Sequence, residues 1–387
     1  MKQALLVLWM VICCVPLSGQ SIEDLSFGTD STLEVMTWNI ERFPKNGFTT
    51  IEYVADIVAA LDADLVALQE IDDQQSFDAI LNLLGDWSGY WDDTEFSGLA
   101  YIYQPDVVDV IDVFQIYQGM NRPFPRPPLV MHCSYNGEFL VVINNHLKCC
   151  GNGVLDAGDA WDEETRRREA SQLIAAYIAQ HHPDDRVIVL GDLNDILTDA
   201  GPNNVFGAFL GAPQEYAFAD MSIAEGSSAF WSYPGWPSHL DHILVSNELF
   251  SALAAPGSSV QTIRVDDVIQ GGIDAYDDNI SDHRPVALRL VLESSTTSTR
   301  GSSTRTHLMT GYPNPAGDHL QVRLTPLPGP AELVIMDATG KMHGHIDLPA
   351  LRESVRIELT TLAPGIYQVV LIAEERSVAA LRFVRIP

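Results

Sequence analysis

Short apolar runs alternate along the chain with stretches in which apolar residues recur at helical spacing. Residues 33–38 read as a strand. After the turn signal Asn46-Gly47, the positions Ile51, Val54, Ile57, Val58 and Leu61 fall on one face of a helix, with an N-terminal cap expected at Thr50. Leu65-Val66-Ala67-Leu68 then predicts a buried strand ending at Gln69-Glu70. Further strands are predicted over residues 101–103, 107–114, 129–133 and 139–144, the last two joined by Asn136-Gly137, a pair that accepts the positive φ of a tight hairpin. A helix is predicted over 163–179, and strands over 187–190, 242–245 and 286–292. This order is mixed α/β, with too many hairpins for an all-parallel sheet.

The pattern breaks at Glu293. The run Ser294-Ser295-Thr296-Thr297-Ser298-Thr299-Arg300-Gly301-Ser302-Ser303-Thr304 has no apolar residue and reads as a flexible linker. Beyond it, residues 307–387 show short alternating strands and turns (320–324, 332–336, 355–359, 365–371, 378–384), the style of a small β-sandwich. At the other end, Met1-Lys2, an apolar run from 4 to 16 and Leu17-Ser18-Gly19-Gln20 follow the charged, apolar and polar order of a signal peptide, with cleavage expected near position 20. That run is too short to span a bilayer, and no other stretch is long enough, so no transmembrane segment is expected. The expected organisation is a signal peptide at 1–20, a main domain at 21–292, a linker at 293–306 and a C-terminal domain at 307–387. A chain of 387 residues with 46% hydrophobic residues and 19% charged residues supplies core enough for two ordered units.

Charge sharpens the picture. The formal net charge is −30, and only Lys2, Lys45, Lys148 and Lys341 supply ammonium groups. Such a field repels nucleic acid and anionic membranes at long range, so a polyanionic substrate would have to be held locally, by metal and a few Arg. Cys133, Cys149 and Cys150 lie beyond the leader; an odd number is a poor disulfide framework, an adjacent pair bridges only with strain, and none shows metal-ligand spacing. One bond with one free thiol stays open.

Candidate chemistry sits at strand ends: Asn39 in Trp38-Asn39-Ile40, Glu70 after Leu68-Gln69, His146 in Asn144-Asn145-His146-Leu147, Asp192 and Asn194 in Gly191-Asp192-Leu193-Asn194-Asp195, Asp241 in Leu240-Asp241-His242, and Asp282 and His283 in Ser281-Asp282-His283-Arg284-Pro285. A single Asp or Asn after a strand usually caps a turn; six such segments in order carry the signal. Hard oxygen donors without thiolate suit Mg²⁺, Mn²⁺ or Ca²⁺ rather than zinc. Trp38 reads as core, His242 as a strand residue rather than a ligand, and Asp195, Asp199, His181 and His182 as solvated loop residues. The acidic segment 151–162 reads as a loop rather than a Ca²⁺ cradle.

In this order the segments resemble the endonuclease/exonuclease/phosphatase superfamily over roughly residues 33–292. The resemblance implies a four-layer α/β/β/α sandwich of two mixed sheets and a metal-dependent phosphodiesterase. It places Glu70 as principal metal ligand, with Asn39 and Asp282 beside it. Asp192 would position or deprotonate water, and Asn194 would hold a phosphate oxygen. His283 oriented by Asp241 would form the His/Asp pair, and His146 would serve as second histidine, with acid and base unassigned between the two imidazoles. Arg126 is a candidate phosphate contact. Pancreatic-type deoxyribonucleases orient the second histidine with a Glu, where this chain has Ser97-Gly98, with Glu95 nearby. His146-Leu147-Lys148-Cys149-Cys150-Gly151 and Arg166-Arg167-Arg168-Glu169-Ala170 resemble secreted bacterial nucleases, which implies a nucleic-acid substrate. The alternatives are a sphingomyelinase-type phosphodiesterase or other phosphate esterase, with Trp231, Tyr233 and Trp236 as a membrane-facing patch, and a catalytically idle binding module. Gly311-Tyr312-Pro313-Asn314-Pro315, Asp337-Ala338-Thr339-Gly340-Lys341 and Leu362-Ala363-Pro364-Gly365-Ile366-Tyr367 resemble the sorting domain of type IX secretion substrates, which implies export to the cell surface or beyond through that machinery.

Overall fold

A computed structural model describes residues 21–92, 98–292, 309–312, 316–324, 329–337, 341–352, 354–373 and 376–385. The expected signal peptide, the linker, Glu95 and Ser97, and the motif residues Pro313 to Pro315 and Ala338 to Gly340 lie outside them. The chain divides into two compact units: residues 1–108, 115–129 and 143–292 form one, and 109–114, 130–142 and 293–387 the other.

In the first sheet, β1 (Leu33–Phe43) lies beside β2 (Leu65–Ile71), which it reaches through α1 (Phe48–Leu61). The two strands run parallel, and Asn39 faces Gln69 in register. The apolar face of α1 (Ile51, Val54, Ile57, Val58, Leu61) is buried against Met36, Trp38, Val66 and Leu68. The helix starts earlier than the expected cap: Gly47 is its N-cap, and Thr50 Oγ1 instead accepts from Asn46 N at 2.7 Å and donates to Asn279 O at 2.8 Å. After α2 (Gln74–Leu84), whose start is fixed by the Asp73 carboxylate accepting from Ser76 N at 2.9 Å, come β3 (Ser88–Trp91) and β4 (Gly98–Tyr103).

The second sheet begins with β5 (Val108–Gln115), β6 (Leu129–Tyr135) and β7 (Glu138–His146). Asn136 and Gly137 take positive φ of 51° and 79° between the last two, as the hairpin signal requires. Helix α3 (Glu163–His181) leads to β8 (Arg186–Asp192), and the one-turn helices α4 (Gly207–Leu210) and α5 (Met221–Ala224) flank β9 (Tyr216–Phe218) ahead of β10 (Asp241–Ser246). After α6 (Phe250–Leu253), β11 (Ser259–Thr262), α7 (Gly272–Asn279) and β12 (Val286–Leu290) return to the first sheet. The orders are β11-β12-β1-β2-β4-β3 and β5-β6-β7-β8-β10-β9, two six-stranded sheets with helices, the expected α/β sandwich.

The layer beneath the candidate site is polar. Gln69 Nε2 donates to Asn144 Oδ1 at 2.8 Å, Asn144 Nδ2 donates to Leu68 O and Ala100 O at 3.0 and 3.1 Å, and Tyr101 OH accepts from Asn144 N and donates to Leu129 O. All three side chains are buried, and every bond replaces water that the packing excludes.

The C-terminal strands are β13 (Met309–Tyr312), β14 (His319–Leu324), β15 (Ala331–Asp337), β16 (Met342–Leu348), β17 (Ser354–Glu358), β18 (Gly365–Ala373) and β19 (Arg376–Arg385). They form antiparallel sheets β13-β14-β17 and β16-β15-β18-β19, which share a core including Leu320, Val322, Leu333, Val369, Leu371 and Phe383.

Candidate active site

Asp192 ends β8 and Asp241 begins β10, and the two are direct partners in the antiparallel register. A Cβ at Gly191 would lie 1.9 Å from Asn145 O, and its φ is +139°, so only glycine lets β8 approach β7 this closely beside Asp192. From β1, Asn39 Nδ2 reaches Asp192 Oδ2 at 3.0 Å and Glu70 Oε1 at 3.3 Å. Glu70 has a φ of +65°, and its Oε2 accepts from Arg42 N at 2.9 Å. His146 ends β7 with Nε2 3.5 Å from Asp192 Oδ2 and 3.8 Å from Glu70 Oε1. His283 Nδ1 lies 2.7 Å from Asp241 Oδ2, while its Nε2 is 3.8 Å from Asp192 Oδ2 and 3.9 Å from Asp282 Oδ1. Asn194, at φ +55°, gives its N–H to Asp192 Oδ1 at 3.0 Å. Arg126 is close enough for its charge to act on His146, and its Nε has no hydrogen-bond partner among the described residues. The structure thus brings all nine sequence-derived candidates to one end of the sandwich.

The two imidazoles are electrostatically opposite. Burial, then the charges of Arg126 and His283, hold His146 well below the ordinary histidine range, so it is neutral. At His283 burial acts the same way, but the carboxylates of Asp241 and Asp192, with Asp282 behind them, override it and push the pKa up to about 10. His146 Nδ1 has no partner among the described residues, whereas His283 Nδ1 is fixed. Burial also raises the carboxyls: Asp192 to about 7, with Asp241 and Glu70 adding repulsion that His283 and Asn39 only partly offset, and Asp282 to about 6, with Glu41 and Glu70 adding repulsion against His283 and Lys45.

Residues outside the motifs hold these groups. Ser281 Oγ donates to Asn39 O at 2.7 Å and accepts from His283 N at 3.0 Å, tying the last motif to β1. Glu41 Oε2 accepts from Asp282 N at 3.1 Å and pairs with Lys45. The Tyr233 ring lies 4.8 Å from that of His283, centroid to centroid. Ser232 Oγ accepts from Asp241 N at 3.2 Å, and Ser232 N donates to His239 Nδ1.

Two loop expectations need correction, and one strand residue has unexpected partners. Asp195 is buried and pairs with Arg167 at 2.8 Å, because the Gly-Asp-Leu-Asn turn folds back onto α3. His182 is buried and lies 3.0 Å from Asp185. His242 occupies its strand, as expected, within a buried cluster: Asp220 Oδ2 stands 2.6 Å from His242 Nδ1 and 3.0 Å from His239 Nε2, and His242 Nε2 donates to Asp195 O at 2.9 Å. The pair of histidines holds Asp220 below the usual carboxylate range despite its burial. Nothing in the sequence marked Asp220 or His239, since their partner is reached only through folding.

With this geometry in view, the model of the Endonuclease/Exonuclease/phosphatase family matches residues 36–283. The chain belongs to that family. Membership implies a phosphoesterase hydrolase, and the family is typically metal-dependent. The model described as Secretion system C-terminal sorting domain matches residues 310–384, a type IX sorting tail that indicates secretion to the cell surface or extracellular space and interaction with that machinery. No curated protein matches the chain. Among solved structures, D. rerio TDP2 complexed with single strand DNA product superposes with a TM-score of 0.51 at 14% identity, covering 67% of this chain and 99% of that one. An endonuclease/exonuclease/phosphatase family protein from Bacteroides thetaiotaomicron gives 0.49 at 16%, covering 68% and 98%. One from Bacteroides vulgatus gives 0.48 at 14%, covering 68% and 100%. No helix among the described residues is long and apolar enough to cross a membrane.

The donor set suits a hard divalent cation. Glu70, Asp192 and Asp282 supply carboxylate oxygens where burial and repulsion raise two of the carboxyls, and a cation would discharge that crowding, while Asn39 turns its Nδ2 to Glu70 and Asp192 and its Oδ1 accepts from Glu41 N.

Proposed function

We propose that this protein is a secreted, metal-dependent nuclease that hydrolyses phosphodiester bonds of DNA or RNA. The observation that carries this reading is the convergence of Asn39, Glu70, Asp192 and Asp282 with the buried His283–Asp241 pair. Glu70, with Asn39 and Asp282 beside it, would hold Mg²⁺ or Mn²⁺, with Ca²⁺ as a further candidate. The bound cation would supply Lewis-acid stabilisation of charge on the phosphoryl oxygens.

The chain's own groups divide the remaining work. Asp192, with its pKa near 7, is suited to orient the attacking water and take its proton, because a base poised near the working pH combines availability with driving force. His283 carries a proton at neutral pH, so its Nε2 donates to a phosphoryl oxygen while Asp241 holds Nδ1. Asn194 Nδ2, now donating to Leu147 O at 3.3 Å, turns to a second phosphate oxygen. Neutral His146 and Arg126, whose Nε has no partner among the described residues, would flank the leaving-group side. The opposite electrostatics of the two imidazoles support a division in which His283 is the proton carrier and His146 the neutral donor.

Nucleic acid as substrate rests on the likeness of the His146 to Gly151 and Arg166 to Ala170 segments to secreted nucleases. Arg166 and Arg167 themselves are occupied internally: Arg167 pairs with Asp195 and Glu164, and Arg166 Nη2 donates to Asn121 O. Arg126 remains the candidate phosphate contact. The aromatic loop weakens a lipid substrate, since Trp231 Nε1 is tied to Ile223 O and Tyr233 stands against His283, leaving Phe230 and Trp236 exposed. Purified mature protein should be offered plasmid DNA, RNA, sphingomyelin and a generic phosphodiester with Mg²⁺, Mn²⁺ or Ca²⁺. Plasmid nicking or RNA cleavage without lipid turnover is expected; lipid turnover alone would overturn the nuclease reading.

A further inference from the structure

We propose that Cys149 and Cys150 are a modification site, joined in the exported protein as a vicinal disulfide on the turn that follows His146. Side chains of adjacent residues in extended chain point to opposite faces, so neighbouring cysteines normally hold their sulfurs apart. Here Cys150 takes a φ of +69° and Gly151 one of +108°, and this left-handed turn brings both side chains to one side. Their Sγ atoms stand 2.9 Å apart, inside the usual separation of non-bonded heavy atoms of about 3.5–4.0 Å and longer than the covalent S–S length of about 2.0 Å.

The turn is held in that shape from outside. Arg167 Nη1 donates to both Lys148 O and Cys150 O at 2.7 Å, and Arg167 is itself anchored by Asp195 and Glu164. A Cβ at Gly151 would meet Glu164 Oε1 at 2.3 Å, so the residue after the pair must be glycine. Lys148 Nζ lies 3.7 Å from Cys149 Sγ, a cation beside the atom that would attack as thiolate. Cys150 is exposed, whereas Cys133 is buried on β6 with its thiol pushed up to about 12 by burial. The adjacent pair is thus the reactive one.

The chemistry needs an acceptor of two electrons, and the type IX tail sends the chain to a compartment where disulfides persist. A disulfide of an extracytoplasmic thiol–disulfide oxidoreductase, or a small-molecule disulfide, is attacked by the Cys149 thiolate to give a mixed disulfide. Cys150, losing its proton, then attacks Cys149 Sγ, forms the intramolecular S–S bond and releases the acceptor as a dithiol. Two protons leave the protein and two electrons pass to the acceptor. The ring so formed is exposed and constrained, the kind of disulfide that thiol reductants reopen.

The test is thiol mapping on full chain recovered from the medium of an exporting host. Denatured protein is alkylated with iodoacetamide before reduction, then reduced and alkylated with a second, heavier reagent, and the peptides are sequenced by mass. Cys133 should carry the first label, and Cys149 and Cys150 the second, with no interchain dimer on a non-reducing gel. Cys133→Ser should leave that pattern unchanged, and Cys149→Ser should move Cys150 to the first label. First-label alkylation of both Cys149 and Cys150 in untreated protein, or a bond from either to Cys133 or to another chain, would overturn the proposal.

Discussion

His283 Nδ1 stands 2.7 Å from Asp241 Oδ2 inside the protein, and the other carboxylate oxygen of Asp241 has no hydrogen-bond partner among the described residues. On the proposed reading, Asp241 acts through the imidazole. His283→Ala should lower turnover by about two to four decades. Asp241→Asn should lose much of the same effect, and the double variant should cost little beyond His283→Ala alone, because groups acting as a unit are lost together. Fully additive losses in single-turnover rates would separate the two residues.

Glu70→Gln keeps the shape of the side chain and its reach to Arg42 N, and removes the anionic oxygen a hard cation requires. Metal-dependent turnover should drop by roughly three to four decades with the thermal midpoint little changed. Full activity at saturating Mg²⁺ would take Glu70 out of the site. Calorimetric titration of Mn²⁺ into the variant supplies a reading independent of turnover: the wild-type binding heat should be absent.

Every candidate site residue lies between Asn39 and His283, upstream of the Ser/Thr-rich segment. A chain lacking residues 307–387 should hydrolyse its substrate normally and fail to reach the cell surface. A folded but inactive truncation, or one that is still exported, would refute the separation of address from chemistry.

At the far end of β1, Asp64 Oδ2 accepts from Glu34 N at 2.8 Å, and both carboxyls are buried. Burial, then the charge of Glu34, overcomes the backbone hydrogen bond and pushes Asp64 up to about 8, while burial raises Glu34 as well. A raised acid is held protonated by the folded state. Its stabilisation is complete below the ordinary carboxyl value and is lost as pH rises towards 8. Stability should therefore fall, by an amount on the order of a few kcal/mol, between mildly acid and weakly alkaline pH from this pair. Asp64→Asn keeps an acceptor for Glu34 N and should flatten that slope; equal slopes by calorimetry in both proteins would exclude the pair as its source.

Much of the fold was legible because it rests on local periodicity. The face of α1 and the Asn136-Gly137 hairpin are readable in a few consecutive residues. Most candidates from Asn39 to His283 were legible for a different reason, since Asn39, Glu70, His146 and Asp192 close apolar runs, Asp241 opens one, and strand ends share a sheet edge. What escaped was set by tertiary partners. Thr50 looks like a cap and is used as a bridge to Asn279; Asp195 and His182 look like loop residues and are buried through Arg167 and Asp185. The cluster of Asp220, His239 and His242 has no signature in the chain, because β10 and two segments outside the strands must meet before it exists. The assignment of charge between His146 and His283 depends on which carboxylates surround each ring, a property of the assembled site alone.

Two of the candidates, Glu70 and Asn194, are presented from left-handed backbone, at φ of 65° and 55°. Side chains with a Cβ are disfavoured there, and glycine is not. The most stable occupant of either position by backbone criteria is therefore one that carries no functional group. Asn194→Gly in particular would relieve the main chain while deleting the proposed substrate contact, so a search for thermostable variants, run without an activity screen, should drift towards inactive ones at these two positions.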